Sequence, residues 1–170
     1  IKNNLINENW NGLNILVQNA STVGLLDLKI LQDKNTKFPS FFDDLKNKKF
    51  KLLYLLGSDN LEFQKNEEFV VYQGSHGDRG AEIADIILPG AAYTEKNGLF
   101  VNLEGKLQSA YKASYPPGEA KEDWIIFKDL ARIMKKPFVH NNRQDLRKII
   151  NERIQLKINS NFKKTYNVDF

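Results

Sequence analysis

The stretch Phe50-Lys51-Leu52-Leu53-Tyr54-Leu55-Leu56-Gly57-Ser58-Asp59 is apolar except at Lys51 and breaks into a small, polar turn. It is too short for an average helix and too uniformly apolar for a strand with one wet face. It therefore reads as a strand buried on both faces, the pattern of a parallel sheet. Two later runs repeat it: Phe69-Val70-Val71-Tyr72 ends at Gln73-Gly74, and Ile86-Ile87-Leu88 ends at Pro89. Three short apolar strands, each closing on a polar or glycine loop, predict an α/β fold with an open, mostly parallel sheet flanked by helices.

Upstream, Trp10, Leu13, Leu16, Val17 and Ala20 fall at helical spacing, which predicts a helix over residues 10–20 with Asn9 as its cap and Gly24 past its end. Pro39-Ser40 followed by Phe41, Phe42 and Leu45 predicts a second short helix, its lysines Lys46, Lys48 and Lys49 near the negative pole. Downstream, Leu99 to Ala110 reads as a β-hairpin inserted in the fold, turning at Glu104-Gly105. Tyr115-Pro116-Pro117-Gly118 is a stiff break. Trp124, Phe127, Leu130, Ala131 and Met134 then mark a helix over 119–134, and Asn142 caps a last helix from Arg143 to about Ile154. The expected organisation is one α/β domain over residues 1–154, partial in extent, and a polar C-terminal tail over residues 155–170.

The 170 residues contain no cysteine, which excludes disulfides, thiolate zinc sites, cysteine-ligated iron–sulfur clusters and a cysteine nucleophile on these residues. The longest apolar run, Leu52 to Leu56, falls far short of the roughly eighteen residues a membrane-spanning helix needs, so no membrane insertion is expected. The net charge of +4 comes from 20 Lys and five Arg spread along the chain among 21 carboxylates. A nucleic-acid surface gathers Arg-rich positive charge on one face, so no nucleic-acid partner is expected. The 20 Lys and 19 Asn instead suggest coding by an AT-rich, organellar genome. With only Lys2 and Lys29 basic in the first thirty residues, neither a secretory signal nor a transit peptide is expected, and the chain opens on Ile1.

Gly57-Ser58-Asp59-Asn60, Gln73 to Asp78 and Pro89-Gly90 lie past strand ends, where open α/β sheets bind ligands. Glycines there are also the ordinary means of turning a chain, and neither GxGxxG nor a phosphate loop is present. His76 and His140 are the only histidines and stand 64 positions apart, a poor start for a metal site. Asp78, Glu82 and Asp85 suit a helix start better than acid–base work. Ser75 and His76 are adjacent, which is not the arrangement of a catalytic triad. Gly74, Gly77 and Gly80 are expected to serve positive φ or close chain approach. No catalytic, cofactor-binding or metal-binding residue is assigned.

The stretch Tyr72 to Lys96, with Asn102-Leu103-Glu104-Gly105, Gln108, Pro116-Pro117-Gly118 and Glu122-Asp123-Trp124, closely resembles the C-terminal half of the large iron–sulfur subunit of mitochondrial NADH:ubiquinone oxidoreductase, respiratory complex I. Trp10, Asn14-Ile15-Leu16, Ala20-Ser21 and Leu55-Leu56-Gly57 fit the same family in order, so the resemblance covers roughly residues 10–135. That half is similar to molybdopterin-dependent oxidoreductases, whose shared motif runs ADxxLP, an acidic EK, a glycine and NxEGR. Ala84-Asp85, Leu88-Pro89, Glu95-Lys96, Gly98 and Asn102 to Gly105 fill it, with Lys106 where Arg is usual. The resemblance implies a molybdopterin-oxidoreductase-like fold that has become structural, in a subunit of the proton-translocating NADH:ubiquinone reductase. It implies no cofactor on this chain, with iron–sulfur clusters and FMN on partner subunits. It further implies other peripheral-arm subunits as partners, above all a cysteine-rich ferredoxin-like chain, a place on the matrix side of the mitochondrial inner membrane, and a domain that folds poorly without those partners. The competing readings are a fragment of an active molybdopterin-dependent oxidoreductase and a nucleotide-binding α/β module.

Overall fold

The computed structural model describes residues 6–7, 10–11, 16–17, 19–20, 22–30, 38–59, 64–140 and 142–153. Its elements run β1 (Ile6–Asn7), β2 (Trp10–Asn11), α1 (Thr22–Asp27), α2 (Phe38–Lys46), β3 (Leu52–Leu56), β4 (Phe69–Gly74), α3 (Arg79–Glu82), β5 (Ile86–Pro89), β6 (Gly98–Val101), β7 (Leu107–Ala110), α4 (Asp123–Ile133) and α5 (Arg143–Arg153). The three apolar runs form one parallel sheet in the order β3-β4-β5, with Leu52 opposite Phe69 and Val71 opposite Ile86. Leu53, Leu55, Val70 and Tyr72 share one sheet face and pack with Leu45 of α2 in the core, supported by Phe41, Phe50, Ala81, Ile83 and Ala84. Against part of the other face lies α4, where Tyr54 stacks on Phe127 at 5.5 Å between ring centroids.

The hairpin forms where it is expected, with Gly98 opposite Ala110 and Val101 opposite Leu107. Its turn depends on Gly105, which sits at φ 84°, and on Asn102, whose side-chain oxygen accepts from the Lys106 amide at 2.7 Å. The last helix is capped as expected: Asn142 Oδ1 accepts from the Asp145 amide at 2.9 Å. The fourth helix begins at Asp123 rather than at residue 119, because the main chain of Lys121 is engaged beside β5 by hydrogen bonds with Pro89 and Ala91. The 155–170 tail lies outside the described residues.

The helix expected over residues 10–20 does not hold. Trp10 and Asn11 pair antiparallel with Asn7 and Ile6, and among the described residues the first helix starts at Thr22. Asn11, Gly12, Asn14 and Asn19 interrupt the apolar stripe with poor helix formers, so spacing alone does not suffice. Asn9 and Leu13 lie outside the described residues. Gly24 is inside α1 rather than past its end. It lets the helix approach the hairpin so closely that a Cβ there would stand 2.9 Å from Val101 Cγ2.

Candidate functional site

The parallel sheet brings the three strand-end loops together, as the sequence leads one to expect. The Gly57 amide donates to the Gln73 carbonyl at 2.7 Å, and the Gly90 amide to the Gly74 carbonyl at 2.8 Å. Within this crevice the Tyr72 hydroxyl lies 2.7 Å from both Asp59 Oδ2 and the His76 carbonyl oxygen. Burial pushes the Tyr72 hydroxyl well above its ordinary value, and the Asp59 carboxylate adds to the shift. Tyr72 is thus held as a neutral donor that ties the β3 loop to the β4 loop. Gly74 and Gly80 make room for its ring: a Cβ on Gly74 would stand 2.2 Å from the Tyr72 hydroxyl, and one on Gly80 2.8 Å from both the ring and the Ser58 carbonyl. Neither has a positive φ, so their role is close approach. Gly77 does not share it. Its Cβ would meet nothing nearer than Ala81 at 3.9 Å and its φ is not positive, so the expectation for that glycine is overturned.

On the opposite face of β4 from Tyr72, Gln73 is fully buried. Its oxygen accepts from the Tyr54 hydroxyl, and its nitrogen donates to Asp123 Oδ1 at 2.9 Å. The second Asp123 oxygen pairs with the Lys96 ammonium. Burial, then the Asp123 charge, raises the Tyr54 hydroxyl above its ordinary value. One closed network therefore links β3, β4, the loop after β5 and the start of α4. In the sequence Asp123 stands out only within Glu122-Asp123-Trp124, part of the stretch that carries the family resemblance, and the signal that points to this network is Gln73, a polar residue closing an apolar strand. Beside it, Glu122 accepts from Trp124 Nε1 at 2.9 Å and pairs with Arg143, tying α5 to the start of α4. Among the described residues, the buried side-chain polar atoms without a partner are Asp59 Oδ1 and Arg143 Nε.

The motif residues prove to be fasteners. Asp85 accepts from the Val70 amide at 2.7 Å and from Lys65 at 2.6 Å, and these partners, Lys65 foremost, hold its carboxyl below the ordinary range. Glu95 accepts from the Ala92 amide at 2.9 Å, and Lys96 and Asn102 have the roles given above. Asp78 stands at the start of α3, but its side chain makes no cap hydrogen bond, so it does not perform the capping the sequence suggests. Ser75 Oγ meets His76 Nδ1 at 2.9 Å on the exposed surface. Among the described residues, no group of three or more His, Asp or Glu is placed to hold a metal ion. His140 is exposed, between α4 and α5.

The family model described as molybdopterin oxidoreductase matches residues 1–133 of this chain. The chain is 45% identical over 141 residues to the NADH-ubiquinone oxidoreductase 75 kDa subunit of Reclinomonas americana, covering 81% of this chain and 20% of that protein. It is 45% identical over 145 residues to a subunit of the NADH-quinone oxidoreductase of Rickettsia conorii, covering 85% and 20%. It is 42% identical over 140 residues to the mitochondrial NADH-ubiquinone oxidoreductase 78 kDa subunit of Candida albicans, covering 81% and 18%. The chain thus spans about a fifth of the length of the curated relatives it matches.

Proposed function

The chain belongs to the molybdopterin oxidoreductase family, and from that premise we propose that it is a non-catalytic, structural part of NADH:ubiquinone oxidoreductase. It supports NADH oxidation and electron transfer carried out on partner chains. The observation that carries this reading is the identity of 42–45% to the complex I subunits across about four-fifths of the chain.

The strand-end crevice supports the non-catalytic half. A phosphate-bearing pterin needs donors and cations turned toward it. Here Gln73 is engaged at both ends of its amide, Asp59 and Asp123 bring carboxylates, and the Lys96 ammonium is held by Asp123. These residues do not fit a pterin phosphate, and Lys106 does not offer the planar fork of the usual Arg. The electron carriers, iron–sulfur clusters and FMN, then belong to partner subunits, including a cysteine-rich ferredoxin-like chain. The chain then takes a place in the peripheral arm, on the matrix side of the inner membrane. No helix among the described residues is long and apolar enough to cross a membrane.

The test is to tag the full chain in its own cells, isolate it under native conditions, and identify the co-migrating polypeptides by mass spectrometry. The expected result is NADH-dehydrogenase subunits with no molybdenum, tungsten or pterin in stoichiometric amount. A stoichiometric metal–pterin signal on this polypeptide would establish the active-oxidoreductase reading instead.

A further inference from the structure

Away from the strand ends, α5 closes a cavity of about 210 Å³. Arg143, Leu146, Arg147 and Ile150 recur at helical spacing along one side of the helix and face Asn97, at the start of the hairpin, and Trp124, at the start of α4. The inward stripe of a packed helix is ordinarily apolar, and two like charges one turn apart repel each other. None of the residues lining the cavity is acidic. Glu122 pairs with Arg143, and its second oxygen accepts from Trp124 Nε1 at 2.9 Å, so it has nothing left for Arg147. Among the described residues Arg147 has no hydrogen bond or ion pair, and Arg143 Nε is buried without a partner. Asn97 Oδ1 accepts from the Lys112 amide at 2.9 Å, which leaves the Asn97 amide nitrogen as a further donor.

The polar groups left over at this cavity are donors, and the charge left over is positive. The chain carries four lysines for every arginine, yet both cations here are arginine, whose planar fork matches the edge of an oxyanion. The rest of the wall is apolar at Trp124, Leu146 and Ile150, which suits a hydrocarbon stem and not a phosphate, whose oxygens would all need partners. The cavity is smaller than the roughly 300–1,000 Å³ clefts that hold drug-sized ligands, so the stem must be short. We propose that this pocket binds a small monocarboxylic acid with a short apolar chain. Arg147 receives the carboxylate beside the Arg143 guanidinium, Asn97 donates a further hydrogen bond, and the chain lies against Trp124, Leu146 and Ile150. The site is built from this chain's own hairpin, α4 and α5, so it stands whether or not the assembly reading does.

The experiment uses the tagged full chain, isolated from its own cells under native conditions together with whatever binds it. Phenylglyoxal, which modifies accessible arginine, is applied with and without butyrate in millimolar excess. Mass spectrometry of the peptides reads the rate at Arg147 and, as an exposed control outside the cavity, at Arg79. Butyrate should slow modification of Arg147 at least fivefold and leave Arg79 unchanged. Butyramide keeps the chain and loses the charge, so it should not protect, and inorganic phosphate should protect far less than butyrate. No protection by butyrate, or equal protection by butyramide, would overturn the site. Phosphate protecting as well as butyrate would overturn the assignment to a carboxylic acid. An Arg147 that is unreactive before any acid is added would overturn it as well, because the cavity would then be covered by polypeptide.

Discussion

At the scale of single residues, the family motif acts through backbone geometry. Gly80 and Gly77 stand three positions apart in one loop and look alike in sequence, yet only Gly80 faces Tyr72 and the Ser58 carbonyl. Gly80→Ala should destabilise the full chain by about 1–3 kcal/mol, the usual cost of forcing atoms into a packed site. Gly77→Ala should cost well under 1 kcal/mol. Urea unfolding followed by tryptophan fluorescence at low protein concentration separates the two, and equal effects would remove close approach as the explanation. Asp85 tests the electrostatics of the same motif. Its carboxyl lies below its ordinary 3.8, so its contribution is complete above that value and is lost as pH falls through the lowered one. Asp85→Asn should therefore be less stable than the parent at pH 7. The gap should close in acid, where the parent carboxyl is itself protonated, and a gap independent of pH would contradict the role.

At the scale of elements, what is legible in the sequence is what is local. β3, β4 and β5 are readable as short apolar runs of a parallel sheet, although burial on both faces holds only for β4, since β3 buries Leu53 and Leu55 alone and no residue of β5 is buried; the hairpin is readable because Asn102 and Gly105 carry its turn chemistry. Helix termini are not readable by the usual sign. Lys29, Lys48 and Lys135 all lie in the left-handed region, just past α1, α2 and α4, at φ 58°, 54° and 57°. Each is closed by a paired terminal motif, such as the Lys135 amide to the Arg132 carbonyl at 3.0 Å and the Lys136 amide to the Ala131 carbonyl at 2.9 Å. Glycine usually fills this position, so a search for glycine puts the end of a first helix at Gly24, which is interior. Because an L side chain is disfavoured there, Lys135→Gly should stabilise the chain by about 1 kcal/mol, seen as a higher urea midpoint. A lower midpoint would count against the termination geometry. The crevice network is also hidden, since Gln73 and Asp123 are 50 positions apart and no local pattern joins them.

At the scale of the whole molecule, the parallel sheet has three strands among the described residues and leaves Leu52, Leu56, Phe69, Ile86 and Ile87 substantially in water. Apolar surface of that kind costs about 25 cal/mol per Å² to expose, so cover by other polypeptide stabilises the fold. On the reading proposed above, a domain whose strand ends are tied together by its own Gln73, Asp123 and Lys96 holds other chains rather than turning over a substrate. The variant that tests this most directly is Gln73→Leu, which leaves Asp123 and the Tyr54 hydroxyl short of a partner and should destabilise the domain by roughly 1–3 kcal/mol. The decisive measurement is NADH oxidation per assembled complex, taken with the amount of assembled complex, in cells carrying that substitution. The account predicts less complex with unchanged turnover per complex. A normal amount of complex with NADH oxidation lost would contradict it.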